Sequence, residues 1–224
     1  MIELVLLDLD GTLADTAPDL GGALNAVRAE LGQAPLPLAP LAPAIGRGTP
    51  AMLEAAFGIA PEAAEFGPLR ARFLDLYAAR VAAETRLFPG IADLLDELES
   101  RGVTWGVVTN KPQRFTDPLL EALGLARRAA CVVSGDTLPQ RKPEPAPLLH
   151  AARALAADPA RCIYVGDAES DVVAANAAGM RALVAGWGYL EEDDDPRRWG
   201  AAAVLTAPKH LGTWLLVHGG TAQD

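Results

Sequence analysis

The sequence predicts an α/β protein, a Rossmann-like parallel sheet core with helices on both faces and an inserted all-helical cap. Short apolar runs rich in β-branched residues alternate with segments whose apolar residues recur every three or four positions. One stretch, residues 16–82, departs from this alternation because its periodicity is helical throughout. We therefore predict that residues 16–82 form a cap segment and that residues 1–15 and 83–224 form the core.

Six apolar runs predict the strands of the sheet. The first, residues 1–9, is almost wholly apolar, which is typical of a parallel strand buried on both faces. The others lie at residues 103–109, 130–134, 162–165, 182–185 and 203–205. Parallel strands joined by right-handed crossovers place their carboxyl ends at one edge, so we expect ligands to bind there.

Segments with helical spacing connect these strands. In the cap segment, helices are predicted at residues 19–31, from residue 49 or 50 onward and at 67–83, with a proline-rich loop at 33–50 and a hinge at 84–87. Core helices are predicted at residues 91–101, 115–123, 147–157, 171–178 and 208–217. Residues 219–224 are expected to fray.

Composition and charge exclude several classes of protein. The formal net charge of −10 argues against nucleic acid as a partner, because such binding depends on lysine and arginine contacts with phosphates. There is no run of 18 apolar residues and no basic leader with a cleavage site, so we expect no membrane association. Cys131 and Cys162 lie in apolar runs, which favours a cytoplasmic protein. For the oligomeric state, the sequence allows both a monomer and a homodimer.

The first predicted strand ends in two carboxylates. Asp8 and Asp10 are two positions apart, so on an extended chain they face the same side and repel each other unless a cation or a shared proton intervenes. Gly11 allows a sharp turn and Thr12 can hydrogen-bond within it, which aims backbone N–H groups at an anion. A metal, a carboxylate nucleophile and an anion cradle together suggest phosphoryl transfer.

Polar residues also follow the later strands. Thr109 and Asn110 follow the second strand, Lys142 lies in the loop after the third, and Asp167 and Asp171 follow the fourth. Each has an ordinary alternative interpretation: turn residues, an exposed loop lysine, or a helix N-cap at Asp171. Because the carboxyl ends of parallel strands share one edge, the set together predicts a single crevice.

The motifs that contain these residues resemble those of the haloacid dehalogenase superfamily over essentially the whole chain. The segment DLDGTLADT resembles the first motif, VVTNK the second, RKPEP the third and GDAESD the fourth. The resemblance implies a phosphatase in which Asp8 forms an aspartyl-phosphate, while Asp10 protonates the leaving oxygen and later activates water. It implies that Thr109 and Asn110 bind the phosphoryl group, and that Lys142 neutralises its charge.

The same resemblance implies a Mg²⁺ ion. Asp8, the backbone carbonyl of Asp10 and the side chain of Asp167 would bind it, with Asp171 acting through a bound water or Lys142. Asp10 favours a phosphatase over a dehalogenase, because a leaving halide needs no proton. A sugar-phosphate mutase stays an alternative, although Gly166 stands where many mutases carry a second acid. A phosphonatase is excluded because residues 16–83 contain no lysine. A non-catalytic, phosphoryl-dependent regulatory protein is the alternative from another class.

The substrate is expected to be a small phosphate ester selected by the cap segment. Arg47, between two glycines, is the candidate for binding a substrate carboxylate or sugar group, and an exposed loop arginine is the alternative. The chain is similar to phosphoglycolate phosphatases, and especially to a branch that includes N-acetylmuramic acid 6-phosphate phosphatases of cell-wall recycling. These similarities imply 2-phosphoglycolate or N-acetylmuramic acid 6-phosphate as substrate. The acidic run at residues 191–195 is expected to be a solvated loop.

Overall fold

The computed structural model describes residues 2–191 and 193–218 of the chain. Its strands are β1 (Leu4–Leu7), β2 (Ala14–Asp15), β3 (Arg86–Leu87), β4 (Thr104–Val108), β5 (Val132–Val133), β6 (Cys162–Gly166), β7 (Arg181–Ala185) and β8 (Ala203–Leu205). Within these residues, six strands form a parallel sheet in the order β5-β4-β1-β6-β7-β8. β2 and β3 form a separate antiparallel ribbon.

β1 lies at the centre of the sheet because its apolar residues can be buried on both faces. All four of its residues are buried, as the nearly continuous apolar run predicts. Leu7 pairs with Val107 on one side and with Val165 on the other. The residues that follow these three strands therefore leave the sheet at one edge.

Helices cover both faces of the sheet. They are α1 (Ala17–Glu30), α2 (Ala42–Gly46), α3 (Thr49–Phe57), α4 (Phe66–Ala78), α5 (Ile91–Ser100), α6 (Gln113–Ala122), α7 (Ala146–Ala154), α8 (Glu169–Ala177) and α9 (Lys209–His218). α5, α6 and α9 contribute to one buried apolar cluster, whereas α7 and α8 contribute to another. The predicted α/β class with helices on both faces is confirmed.

The cap segment has an apolar cluster of its own. Leu20, Leu24 and Val27 form a buried stripe on α1, and they join a cluster with residues of α2, α3 and α4. Phe115 and Tyr189 of the core also belong to this cluster, so the cap segment packs on the core through apolar contacts. A separate cluster favours the division at residues 15/16 and 82/83, which stays a prediction.

Two parts of the cap segment differ from the prediction. The proline-rich stretch 33–50 contains the short helix α2, because Ala44 and Ile45 are buried and Pro43 is tolerated in the first turn of a helix. The last helix ends at Ala78, not at residue 83. The hinge at residues 84–87 includes β3, which pairs with β2, so the two connections between cap segment and core run side by side.

The helices among the described residues lack the combination of length and apolar character that a membrane span requires. The expected fraying of residues 219–224 falls outside the described residues.

A buried carboxylate ties α1 to the chain that returns from the cap segment. Asp19 on α1 is inaccessible to solvent. It accepts hydrogen bonds from the backbone N–H groups of Glu84 at 3.0 Å and Thr85 at 2.8 Å, and from the Thr85 hydroxyl at 2.8 Å. Arg80 Nε lies 3.3 Å away. Although burial opposes its ionisation, the hydrogen bonds from Glu84 and Thr85 lower the pKa of Asp19 below its usual value.

We predict that Asp19→Asn lowers the free energy of unfolding by about 2 kcal/mol at pH 7, because hydrogen bonds to a buried charged group are lost. A carboxylate whose pKa is lowered by folding stabilises the protein above its unfolded pKa, and this stabilisation disappears as the pH falls through the folded pKa. The difference between wild type and variant should therefore narrow below about pH 4. Urea denaturation from pH 7 to pH 3 measures it.

Asp75→Asn, at an exposed position of α4, is the matched control and should change the unfolding free energy by less than about 0.5 kcal/mol. A difference for Asp19→Asn that stays constant over the whole pH range would contradict the role of its carboxylate.

Candidate active site

Three carboxylates converge at the carboxyl edge of the sheet. Asp8 follows β1, Asp167 follows β6 and Asp171 lies in the first turn of α8, and each offers an oxygen within 4.8 Å of the others. Burial, together with Asp171 and Asp10, raises the pKa of Asp8 to about 6 despite the opposing effect of Lys142. Burial, Asp171 and Asp8 raise the pKa of Asp167 well above its usual value.

This cluster fits a divalent cation. Asp8 Oδ1 is buried and accepts no hydrogen bond from the described residues, although Lys142 Nζ lies 3.0 Å away. Carboxylate oxygens are the ligands that hard cations such as Mg²⁺ prefer, and a double positive charge would relieve the repulsion among the three groups. The predicted metal ligands Asp8, Asp167 and Asp171 are thus brought together.

Lys142 is buried among these carboxylates, so its interpretation as an exposed loop lysine is wrong. Its Nζ lies 3.0 Å from Asp8 Oδ1 and 2.7 Å from both Asp171 Oδ1 and the Tyr164 hydroxyl. Although burial favours the neutral amine, Asp171 and Asp8 raise the pKa of Lys142 to about 12. The lysine is therefore a positive charge next to Asp8.

Asn110 and Thr109 lie at the end of β4, beside the carboxylates. The side-chain amide of Asn110 donates to the Lys142 carbonyl at 3.0 Å and accepts from the Lys142 backbone N–H at 3.1 Å. Asn110 thereby fixes the loop that carries Lys142. Thr109 is buried, and its hydroxyl oxygen accepts a hydrogen bond from the Lys111 backbone N–H at 3.2 Å. Both residues line the same cavity as the carboxylates.

The turn after β1 packs tightly against Asp167. Gly11 has a φ of +79°, and a Cβ atom there would lie 2.0 Å from Asp167 Oδ2, so only glycine fits. Thr12, expected to bond within its own turn, instead donates its hydroxyl hydrogen to Asp167 Oδ1 at 3.0 Å. Asp171 accepts a hydrogen bond from the Ala168 N–H at 3.0 Å, which closes the first turn of α8, while its other oxygen faces Lys142.

Lys111 is a site residue that sequence reasoning missed. Its Nζ lies 3.0 Å from Asp10 Oδ1 and 3.2 Å from Oδ2, and its side chain is 4% exposed. Although burial opposes its charged form, Asp10 raises the pKa of Lys111 above its usual value. The only signal was its position directly after Thr109 and Asn110, since its partner Asp10 is 101 residues away.

Tyr189, in the loop after β7, is a second missed residue. Its backbone N–H donates to Asp167 Oδ2 at 2.8 Å. Its hydroxyl oxygen accepts from the N–H groups of Thr16 at 2.6 Å and Ala17 at 2.9 Å, and the hydroxyl donates to Asp15 Oδ1 at 2.7 Å. One residue thus links Asp167 to the start of α1 and to the connection into the cap segment.

The carboxylates lie in a cavity of about 670 Å³ between the edge of the sheet and the cap segment. The cap segment lines this cavity mainly with apolar side chains. Arg47 and Arg70 of the cap segment and Arg141 of the core add positive charges to the lining. The side chain of Arg47 is 60% exposed, and its Nη2 lies 2.6 Å from Glu191 Oε1 across the cavity. In the acidic run, residues 193–195 are exposed, as expected of a solvated loop, and residue 192 lies outside the described residues.

A family model described as haloacid dehalogenase-like hydrolase matches residues 5–185. The chain belongs to this family. A phosphoglycolate phosphatase of Xylella fastidiosa (strain 9a5c) is 46% identical over 209 residues, which cover 92% of this chain and 90% of that protein. An N-acetylmuramic acid 6-phosphate phosphatase of Pseudomonas aeruginosa is 39% identical over 210 residues, which cover 94% and 93%.

Solved structures of haloacid dehalogenase-like hydrolases share the fold. A protein of Haemophilus somnus 129PT, described as a predicted phosphoglycolate phosphatase, has a TM-score of 0.84 at 24% identity and covers 95% of this chain and 97% of its own. CbbY from Rhodobacter sphaeroides, in complex with xylulose-(1,5)-bisphosphate, has a TM-score of 0.74 at 26% identity with the same coverage. The predicted family, fold class and enzyme class, a phosphatase, are confirmed.

We predict that Mg²⁺ stabilises this haloacid dehalogenase-like hydrolase against unfolding. At a concentration 100 times the dissociation constant, binding to the native state alone adds about 2.7 kcal/mol. Asp167→Asn should remove most of this gain, because it takes away one of three converging carboxylates. Thermal unfolding across a range of MgCl₂ concentrations, with EDTA as the metal-free reference, measures the effect.

The exposed Glu169, next to the cluster but not part of it, provides the control, and Glu169→Gln should respond to Mg²⁺ like the wild type. An undiminished Mg²⁺ response in Asp167→Asn would remove that residue from the ligand set.

Proposed function

We propose that the chain is a Mg²⁺-dependent phosphomonoester hydrolase that acts on a small phosphorylated metabolite through an aspartyl-phosphate on Asp8. One observation carries the proposal: Asp8 lies beside the buried ammonium of Lys142 and two further carboxylates, with Asp10 two residues away at the same cavity. Uncatalysed hydrolysis of phosphate esters is very slow. Its catalysis requires several groups together, here a nucleophile, a positive charge, a cation site and a proton carrier.

The proposal includes a Mg²⁺ ion held by residues of the carboxylate cluster. Asp8, the backbone carbonyl of Asp10 and the side chain of Asp167 would hold Mg²⁺, and Asp171 would act through a bound water or Lys142. When bound, the ion offsets negative charge on Asp8 and on the phosphoryl oxygens. Asp171 already lies 2.7 Å from Lys142 Nζ, which supports its indirect role.

The reaction would proceed in two steps. In the first, an oxygen of Asp8 forms a bond to phosphorus, the bond from phosphorus to the ester oxygen breaks, and Asp10 gives its proton to that oxygen. In the second, Asp10 takes a proton from water, the water oxygen bonds to phosphorus, and the bond to Asp8 breaks. Phosphate leaves, and Asp8 and Asp10 return to their starting states. Lys142, Thr109 and Asn110 would hold the phosphoryl oxygens during both steps.

The mutase and regulatory alternatives receive less support. A Cβ atom at Gly166 would lie 2.3 Å from Asp171 Oδ2, so there is no room for the second acid that many mutases carry at this position. A protein that only binds phosphoryl groups would have no use for the carboxylate of Asp10. The sequence leads us to expect no nucleic acid or membrane partner, a cytoplasmic location, and either a monomer or a homodimer.

The cap segment would select the substrate. The cavity of about 670 Å³ has room for a sugar acid phosphate as well as for the much smaller 2-phosphoglycolate. Relatives that act on these two compounds share much of the sequence, so we propose 2-phosphoglycolate or N-acetylmuramic acid 6-phosphate as substrate. Both carry a carboxylate, and Arg47 is the proposed ligand for it, since its ion pair with the half-buried Glu191 already positions it at the cavity.

We predict that Asp8→Asn lowers turnover by at least ~10³-fold, because removal of a nucleophile abolishes the covalent route. Phosphate release with 2-phosphoglycolate and N-acetylmuramic acid 6-phosphate measures the loss. The variant should unfold at or above the wild-type temperature in EDTA, because it replaces a carboxylate whose pKa is raised by burial. Mg²⁺-dependent phosphate release at the wild-type rate would refute the nucleophile assignment.

We predict that Arg47→Met lowers kcat/KM about 5-fold to 10-fold for the carboxylate-bearing substrate, because one exposed charge-assisted contact is lost. Glycerol 3-phosphate, which has no carboxylate, should lose less than about 2-fold. Arg127→Met, at an exposed position that does not line the cavity, is the matched control. Equal losses on the two kinds of substrate would show that Arg47 does not bind the carboxylate.

A further inference from the structure

Two lysines are buried at the site, and each contacts one of the two reacting carboxylates. The sequence contains three lysines, Lys111, Lys142 and Lys209, of which only Lys209 is exposed. Lys142 contacts Asp8, and Lys111 contacts both carboxylate oxygens of Asp10 at 3.0 and 3.2 Å. Because burying an ammonium is costly unless it is paired, the pairing of Lys111 with Asp10 calls for a role of its own.

The backbone of Lys111 is held from both sides. Its N–H donates to the Thr109 hydroxyl oxygen at 3.2 Å. Its carbonyl oxygen accepts from the Gly135 N–H at 2.8 Å and from the Thr116 hydroxyl at 3.1 Å. The side chain of Lys111 therefore extends from a fixed backbone at the end of β4 and reaches both carboxylate oxygens of Asp10.

The cap segment covers this ion pair with Tyr77 of α4. Lys111 Nζ lies 4.7 Å from the centre of the Tyr77 ring, within the range of cation–π attraction. Tyr77 is 1% exposed, and its ring packs against Phe73 of α4 and against Phe115 of the core. The ammonium thus lies between a carboxylate of the core and an aromatic ring of the cap segment.

We propose that Lys111 is the positioning residue for Asp10 and that Tyr77 makes this positioning depend on the cap segment. The inference rests on the proposed function, because it assigns Asp10 the transfer of a proton to the leaving oxygen. With the cap segment packed as described, the ammonium of Lys111 is shielded from water, whereas Asp10 lines the cavity and is held from one side by this ammonium. A proton donor held in one direction transfers its proton more effectively than one that rotates.

The dependence on the leaving group separates this role from a structural one. An alkyl phosphate needs its leaving oxygen protonated, whereas 4-nitrophenolate leaves without help. The comparison uses kcat/KM, which reports formation of the aspartyl-phosphate and excludes its later hydrolysis, a step that all substrates share. The alkyl substrate is whichever of 2-phosphoglycolate and N-acetylmuramic acid 6-phosphate the wild type hydrolyses faster, and 4-nitrophenyl phosphate is the aryl substrate.

We predict that Lys111→Met lowers kcat/KM about 30-fold for the alkyl substrate and less than about 3-fold for 4-nitrophenyl phosphate. The loss for the alkyl substrate is smaller than the roughly 10²-fold to 10⁴-fold that a general acid contributes, because Asp10 itself is still present. Asp10→Asn should show the same selectivity more strongly. Lys209→Met is the matched control at an exposed lysine and should leave both values unchanged. Thermal unfolding verifies that each variant is folded.

Variants of Tyr77 test the part played by the cap segment. Tyr77→Leu removes the ring above the ammonium and should reduce kcat/KM selectively for the alkyl substrate, by about 5-fold, a loss consistent with one shielded cation–π contact. Tyr77→Phe retains the ring and should keep the wild-type ratio between the two substrates. Because Tyr77 acts through Lys111, Tyr77→Leu should change this ratio no further when Lys111→Met is already present.

Three outcomes would overturn the inference. Equal losses on both substrates in Lys111→Met would indicate a structural role, a rise in KM with unchanged kcat would indicate a direct contact with substrate, and additive effects of the two variants would separate Tyr77 from Lys111. If Asp10→Asn itself loses equally on both substrates, the proposed acid role of Asp10 fails. If Asp10→Asn loses kcat/KM selectively for the alkyl substrate and Lys111→Met does not, the positioning role of Lys111 is refuted while the acid role of Asp10 stands.

Discussion

Electrostatic repulsion among buried carboxylates is the constraint on which the rest of the core depends. Asp8, Asp167 and Asp171 offer oxygens within 4.8 Å of one another, and Lys142 supplies a single positive charge among them. In a poorly solvated place such charges interact much more strongly than in water. The apolar strands on either side of β1 hold these side chains together at one edge of the sheet. The negative charge of the three carboxylates is neutralised when a divalent cation adds two positive charges to that of Lys142.

The loop after β7 connects this electrostatic centre to the cap segment. The backbone N–H of Tyr189 donates a hydrogen bond to Asp167. The hydroxyl oxygen of Tyr189 accepts hydrogen bonds from the backbone N–H groups of Thr16 and Ala17 at the start of α1. The hydroxyl also donates to Asp15 in the ribbon. Any movement of the cap segment that displaces the start of α1 therefore acts on a residue that holds a carboxylate of the cluster.

The sequence predicted the parts of the site that adjoin strong strand signals. Asp8, Thr109 and Asp167 follow apolar runs whose carboxyl ends must share an edge, so their convergence follows from the topology of a parallel sheet. Lys111 and the hydroxyl of Tyr189 could not be assigned, because Asp10 lies 101 residues from Lys111, Asp15 lies 174 residues from Tyr189, and no periodicity connects either pair. The helix α2 and the ribbon of β2 and β3 were missed for a related reason, since tertiary packing stabilises elements too short to show a periodic pattern.

The antiparallel ribbon determines how changes in the inserted segment act on the core. Ala14 pairs with Leu87 and Asp15 with Arg86, so the chain leaves the core and returns to it at adjacent points. An insertion with adjacent ends disturbs its host little, because the host closes the same short gap whatever length of chain lies between them. The length of the inserted segment can thus change without moving the strand edge. Substrate preference can change with it as long as the contacts of Tyr77 with Lys111 and of Tyr189 with the start of α1 are kept.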